Sequence, residues 1–196
     1  MIIHDIDQRS DEWFEIRKLK MTASHAQEIG NNGKGLETYI KSIMQEYYSS
    51  AERESFSNKH TERGVELEPE AIFRYEMESK STVEKVGFVE YSKYVGCSPD
   101  GFVNDGLIEV KCPDDKAYFE LLLSGKPESK YVWQMQMQML TTGRLWCDFV
   151  AYNPNFKQDI IIIRYEADLN KFESLRLGFG AGQARIEEII AKMGAV

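Results

Sequence analysis

Cysteine is scarce and scattered in this chain. Cys97, Cys112 and Cys147 are its three cysteines, odd in number and forming no Cys-x-x-Cys pair. That argues against a disulfide framework or a cysteine-built metal cluster and fits reduced thiols in a cytoplasm. Long apolar runs are missing too. None approaches the ~20 residues that a membrane helix needs. The start, Met1-Ile2-Ile3-His4-Asp5, lacks the basic-then-apolar order of a secretory signal. A cytoplasmic protein without a membrane segment is expected.

Positive charge is the third shortage. Lys and Arg number 24 against 32 Asp and Glu, a net charge of −8. This balance argues against a protein that coats nucleic acid indiscriminately. It does not exclude an enzyme that gathers its cations in a channel. There is no internal repeat, low-complexity tract or linker, and 196 residues suffice for one compact domain, expected over residues 1–196.

What the chain does have is concentrated in Gly96–Pro113, GCSPDGFVNDGLIEVKCP. Asp100 sits in a tight Ser98-Pro99-Asp100-Gly101 turn. Gly106–Lys111 reads as a strand, on which Leu107, Glu109 and Lys111 share one side while Ile108 and Val110 point into a core. Pro113 cannot donate to a ladder and ends the strand. Two carboxylates and an amine converging in this way have a chemical logic. Carboxylates are hard ligands for Mg²⁺, which shares its remaining sites with water and substrate phosphate. The lysine ammonium can orient an attacking water or stabilise charge on the phosphoryl group. This is the Pro-Asp…Glu-x-Lys pattern of restriction-endonuclease-like nucleases.

The spacing elsewhere predicts an α/β (α+β) chain in which helices flank a central mixed sheet. Ser10 caps a helix carrying Trp13 and Arg17, followed by Thr22-Ala23-Ser24. Leu36, Tyr39, Ile40, Ile43, Met44 and Tyr47 mark the clearest amphipathic helix. Ser49–Lys59 reads as a polar loop. A helix over His60–Lys80 carries Glu62, Glu66, Glu68 and Glu70, with Pro69 near its first turn. Lys130–Thr141, KYVWQMQMQMLT, alternates Gln and Met like a strand, but length and propensity favour a helix. Ile160–Ile163 is apolar on both faces, which predicts a central strand. Gly178–Gly182 is expected to interrupt the last helix.

The string Ser98-Pro99-Asp100-Gly101…Ile108-Glu109-Val110-Lys111-Cys112-Pro113, preceded by Trp13, Arg17 and Thr22-Ala23-Ser24, resembles the phage recombination exonucleases of the lambda exonuclease type, the YqaJ-like viral recombinases. The resemblance runs from Trp13 to the last strands and implies a restriction-endonuclease-like core. It implies a Mg²⁺-dependent enzyme, with Mn²⁺ able to substitute, that digests the 5′-ended strand of linear double-stranded DNA from a 5′-phosphorylated end and leaves 3′ overhangs. Asp100 and Glu109, with the Val110 carbonyl, would hold the metal, and Lys111 would position or activate water. Glu68 would be a third acid, with Glu66 the competing assignment, and Gln136 would stand near the lysine. Arg17, Ser24, Ser98 and Lys116 would hold the 5′-phosphate, although Lys116 stands one residue short of where the family has an arginine. The expected partners are double-stranded DNA ends, further copies of the chain in a ring-shaped trimer, and a single-strand annealing protein. A related endonuclease or Cas4-like nuclease would share the acids without the phosphate pocket. A catalytically inactive end-binding module would share the pocket without the chemistry.

Overall fold

The structure is a computed structural model that describes residues 1–49 and 59–194. Its elements are β1 (Ile2–His4), α1 (Asp11–Arg17), β2 (Met21–Thr22), a 3₁₀ turn (Ala23–His25), α2 (Ala26–Asn31), α3 (Lys34–Tyr48), α4 (Lys59–Ser79), β3 (Phe88–Ser92), β4 (Val95–Cys97), β5 (Gly101–Val103), β6 (Gly106–Lys111), α5 (Asp115–Ser124), α6 (Ser129–Thr142), β7 (Trp146–Tyr152), β8 (Ile160–Glu166) and α7 (Leu169–Met193). Nearly all of the expected Ser49–Lys59 loop lies outside the described residues. Among the described residues no helix is long and apolar enough to cross a membrane.

The expected central sheet is divided in two. One four-stranded sheet has the order β1-β3-β4-β2 and the other the order β5-β6-β7-β8. Both are mixed: β2 runs parallel to β4 and β6 parallel to β7, while the other pairings are antiparallel. The chain crosses from the first sheet to the second through Ser98-Pro99-Asp100, between the end of β4 and the start of β5. Gly101 opens β5 where a Cβ would collide with the Val83 side chain, so the turn can close only on a glycine.

β6 is the strand that matters most. It lies between β5 and β7, and Leu107 and Ile108 are both fully buried, one in each of two apolar clusters. Ile108 and Val110 belong to the same apolar cluster as Ala71 and Tyr75 of α4, while Leu107 belongs to the larger cluster that includes Met135, Met137 and Met139 of α6. The period-two alternation of a strand thus sends one set of side chains toward α4 and the other toward α6. Glu109 falls on the α6 side.

Three expectations need correction. β8 is an edge strand, not a central one. Its isoleucines alternate between two covered faces, Ile160 and Ile162 against the α4 cluster and Ile161 and Ile163 against the larger core. Apolarity on both faces reports covering above and below, and is silent about neighbours in the sheet. The glycine-rich stretch does not break the last helix, since α7 runs through it from Leu169 to Met193. A Cβ on Gly178 would overlap the Ile29 carbonyl oxygen and one on Gly182 the Met21 sulfur, so these glycines let α7 press against α2 and β2. Pro69 lies well inside α4 rather than near its first turn.

Candidate active site

The Ser-Pro-Asp-Gly turn and the end of β6 meet at a cleft of about 840 Å³. Arg9, Glu68, Asp100, Val110, Lys111 and Tyr131 are among its lining residues. The turn is braced by Gln8, whose side-chain amide donates to the Pro99 carbonyl at 2.9 Å and to the Val86 carbonyl at 2.7 Å. Asp100 is then fixed to β6, because its Oδ2 accepts the Val110 amide at 2.6 Å. Burial, and next the charge of Glu109, raise the Asp100 pKa well above the ordinary carboxylate range, with Glu68 adding to the rise and Lys111 opposing it.

Glu109 is only 1% exposed. Its Oε1 accepts from Gln134 Nε2 at 2.6 Å and from the Lys111 ammonium, and its Oε2 accepts from Gln138 Nε2 at 2.6 Å. Burial works to depress the Lys111 pKa, but the charges of Glu109 and Asp100 and the bond to Glu109 outweigh it and leave the pKa raised. Lys111 is therefore an ammonium at neutral pH in this state. Its Nζ also stands 5.3 Å from the centroid of the Tyr131 ring, within cation–π range.

The structure separates the two candidate glutamates of α4. Glu68 lines the cleft and accepts from Arg9 Nη2 at 3.2 Å, while Glu66 is exposed. Gln136 stands elsewhere than expected. It faces away from Glu109, donating to the Glu166 carbonyl at 2.8 Å and accepting from the Asp168 amide at 2.8 Å, so it ties α6 to the start of α7. The amides that reach Glu109 belong to Gln134 and Gln138, four residues apart on one face of α6.

The Trp13, Arg17 and Ser98 side chains form one assembly beside the turn. The Arg17 guanidinium stacks 3.9 Å from the Trp13 ring centroid. Ser98 Oγ accepts from Trp13 Nε1 at 2.8 Å and from Arg17 Nη1 at 3.3 Å. Arg17 and Ser24 line a second, smaller pocket of about 210 Å³, together with Lys18, Thr22 and His25. Lys116 is not part of this. It is exposed in the first turn of α5, behind the Asp114 cap, and lines neither pocket.

Among the described residues no three His, Cys, Asp or Glu side chains converge closely enough to cage an ion by themselves. A Mg²⁺ does not need such a cage, since it retains several waters and binds through one or two carboxylates. Asp100, Glu109 and the Val110 carbonyl are oxygen donors of that hardness. Two acids packed together, one with a strongly raised proton affinity, are what a divalent cation would relieve. Cys112 also lines the cleft, but burial pushes its thiol up to about 12, so it offers no thiolate to a softer metal.

The class of fold follows from comparison with solved structures. LHK-Exo, an alkaline exonuclease from Laribacter hongkongensis, is 33% identical to this chain. In its complex with dAMP it superimposes with a TM-score of 0.86 over 94% of this chain and 96% of that one. A second structure of the same exonuclease gives a TM-score of 0.82 over 95% of this chain and 99% of that one. A phage-related exonuclease from Haemophilus somnus 129PT, at 18% identity, shares the fold with a TM-score of 0.67 over 89% and 96%. Residues 12–145 match the YqaJ-like viral recombinase domain, and the chain belongs to that family. No curated protein matches it.

Proposed function

We propose that this chain is a Mg²⁺-dependent nuclease that degrades one strand of linear double-stranded DNA, 5′ to 3′, from a 5′-phosphorylated end. The 3′ overhangs it leaves would serve recombination by strand annealing. One observation carries the reading: a single short turn bears both Asp100, beside Glu109 and Lys111, and Ser98, bonded to Arg17. A phosphate grip two residues from an acid pair suits an enzyme that measures its cut from a strand end. LHK-Exo, described as an alkaline exonuclease and found with dAMP, supports it, because a deoxynucleoside monophosphate is the product class that such a cut releases.

In this mechanism Asp100, Glu109 and the Val110 carbonyl hold the cation, with Glu68 at the rim. When bound, the cation supplies Lewis acidity to the scissile phosphoryl group and its attacking water. Lys111, being protonated, donates a hydrogen bond to that water or to a non-bridging oxygen instead of removing a proton. Gln134 keeps Glu109 Oε1 in place. The planar Arg17 fork takes two oxygens of the terminal phosphate, and the Ser24 and Ser98 hydroxyls complete its shell. Trp13 stacks under Arg17 and limits its freedom.

In the same reading the whole chain acts as one nuclease domain, at DNA ends, in the cytoplasm of a bacterial host carrying the phage. A ring-shaped trimer would place an acidic exterior around a basic channel, and a single-strand annealing protein would take up the overhang. The test is digestion of linear and closed circular duplexes of the same sequence, with Mg²⁺ or with EDTA. Loss of the linear form alone, and only with Mg²⁺, is expected. Cutting of the closed circle would replace the exonuclease with an endonuclease.

A further inference from the structure

Glu109 is held from two directions. On the side of the half-exposed Lys111, its Oε1 takes the ammonium and the Gln134 amide. On the core side, its Oε2 takes Gln138 Nε2 at 2.6 Å. Gln138 is 0% exposed and belongs to Met135–Thr142, the part of α6 that is buried throughout, where the helix packs against both sheets. Its own carbonyl, Oε1, is buried with no hydrogen-bond partner.

That orphan oxygen is informative. A buried amide with one half unsatisfied carries a desolvation penalty that an apolar side chain would avoid. Methionine has nearly the same length and shape, and it occupies the positions on either side, Met137 and Met139. Packing therefore does not explain an amide at 138. The N–H that it sends to Glu109 does. A carboxylate bonded only from the Lys111 side can rotate to offer both oxygens to the ammonium, which would then compete with any cation. With Oε2 anchored from the core, a single oxygen, Oε1, is left to be shared among Lys111, Gln134 and the cleft.

We propose that Gln138 is a positioning residue, which anchors the inner oxygen of Glu109 and thereby sets the affinity of the site for its divalent cation. The inference rests on the reading of Asp100 and Glu109 as cation ligands. Gln138 touches neither cation nor DNA in this scheme and acts through Glu109 alone.

The experiment is calorimetric titration of the full-length protein with Mn²⁺, beside thermal melting in EDTA, for the wild type, Gln138→Met and Gln136→Met. Outer-shell partners of metal ligands typically change affinity by roughly 10- to 100-fold. Gln138→Met is expected to weaken Mn²⁺ binding by about that factor, with its melting temperature in EDTA close to the wild type. Gln136→Met, which breaks the link from α6 to α7, is expected to do the reverse: lower melting, unchanged Mn²⁺ affinity. Should Gln138→Met not fold, Gln138→Asn, which withdraws the amide by one methylene, gives the same reading. Wild-type affinity in a folded Gln138 variant would overturn the proposal while leaving the metal site intact. No Mn²⁺ binding by the wild type would overturn both.

Discussion

The Val110 amide donates to Asp100 Oδ2 across 2.6 Å, and this bond stitches the turn between the two sheets to β6, an inner strand of the second. It holds Asp100 next to Glu109 at the price of crowding two acids. The bond favours the ionised form of Asp100, but burial and the Glu109 charge outweigh it.

A stability profile follows from that imbalance. An unfolded Asp titrates at about 3.9. Above that pH the unfolded chain has released the proton that native Asp100 retains, so the native state binds more protons. Stability then falls as pH rises from about 4 toward the raised native pKa, and the full contribution is present only below the unfolded value of about 3.9. Asp100→Asn removes the ionisation and keeps an oxygen to accept the Val110 amide. In EDTA the variant is expected to melt above the wild type at about pH 8, with the gap closing by about pH 4. A gap independent of pH would assign the effect to packing.

Lys111→Ala is expected to lower kcat by roughly 10²–10³-fold, the range for losing one charge-stabilising donor. DNA-end binding in Ca²⁺ should change little, because the phosphate grip at Arg17 and Ser98 is intact. Parallel loss of binding and cleavage in a folded variant would remove the catalytic role.

Arg17→Ala should erase the advantage of a 5′-phosphate over a 5′-hydroxyl end. A hydrogen bond to a charged group contributes about 1.5–3 kcal/mol, or roughly 10- to 150-fold in KM. Lys116→Ala, at an exposed position outside both pockets, should leave end preference unchanged. A strong effect at Lys116 with none at Arg17 would relocate the grip.

Much of this was legible in the chain. The β6 strand, the helical identity of residues 130–141 and the cap at Ser10 all follow from local chemistry, and each appears in the structure. The choice among glutamines was not legible. Gln and Met alternate over residues 134–139, so in a helix each face shows the same mixture and the phase cannot be read. Only contact with Glu109 separates Gln134 and Gln138 from Gln136. Nothing local marked Arg9 or Tyr131 as cleft residues either. Their places depend on where α1 and α6 dock.

The glycines of α7 offer a paired test of a feature that composition misreads. Gly178→Ala places a methyl against the Ile29 backbone and must push α2 from α7. Overpacking of this kind costs about 1–3 kcal/mol. Gly180→Ala meets nothing within 4 Å and gains helix propensity, worth about 0.8–1 kcal/mol in a helix interior. Urea denaturation should therefore move the two midpoints in opposite directions. A shared direction would contradict the close approach.

The most direct test of the central claim is strand-resolved digestion of a linear duplex with a distinct label at each 3′ end, bearing a 5′-phosphate on one strand and a 5′-hydroxyl on the other. The account predicts Mg²⁺-dependent loss of the phosphorylated strand inward from its 5′ end, with the other strand left as a 3′ overhang. Digestion from the 3′ end, or equal loss of both strands, would contradict it.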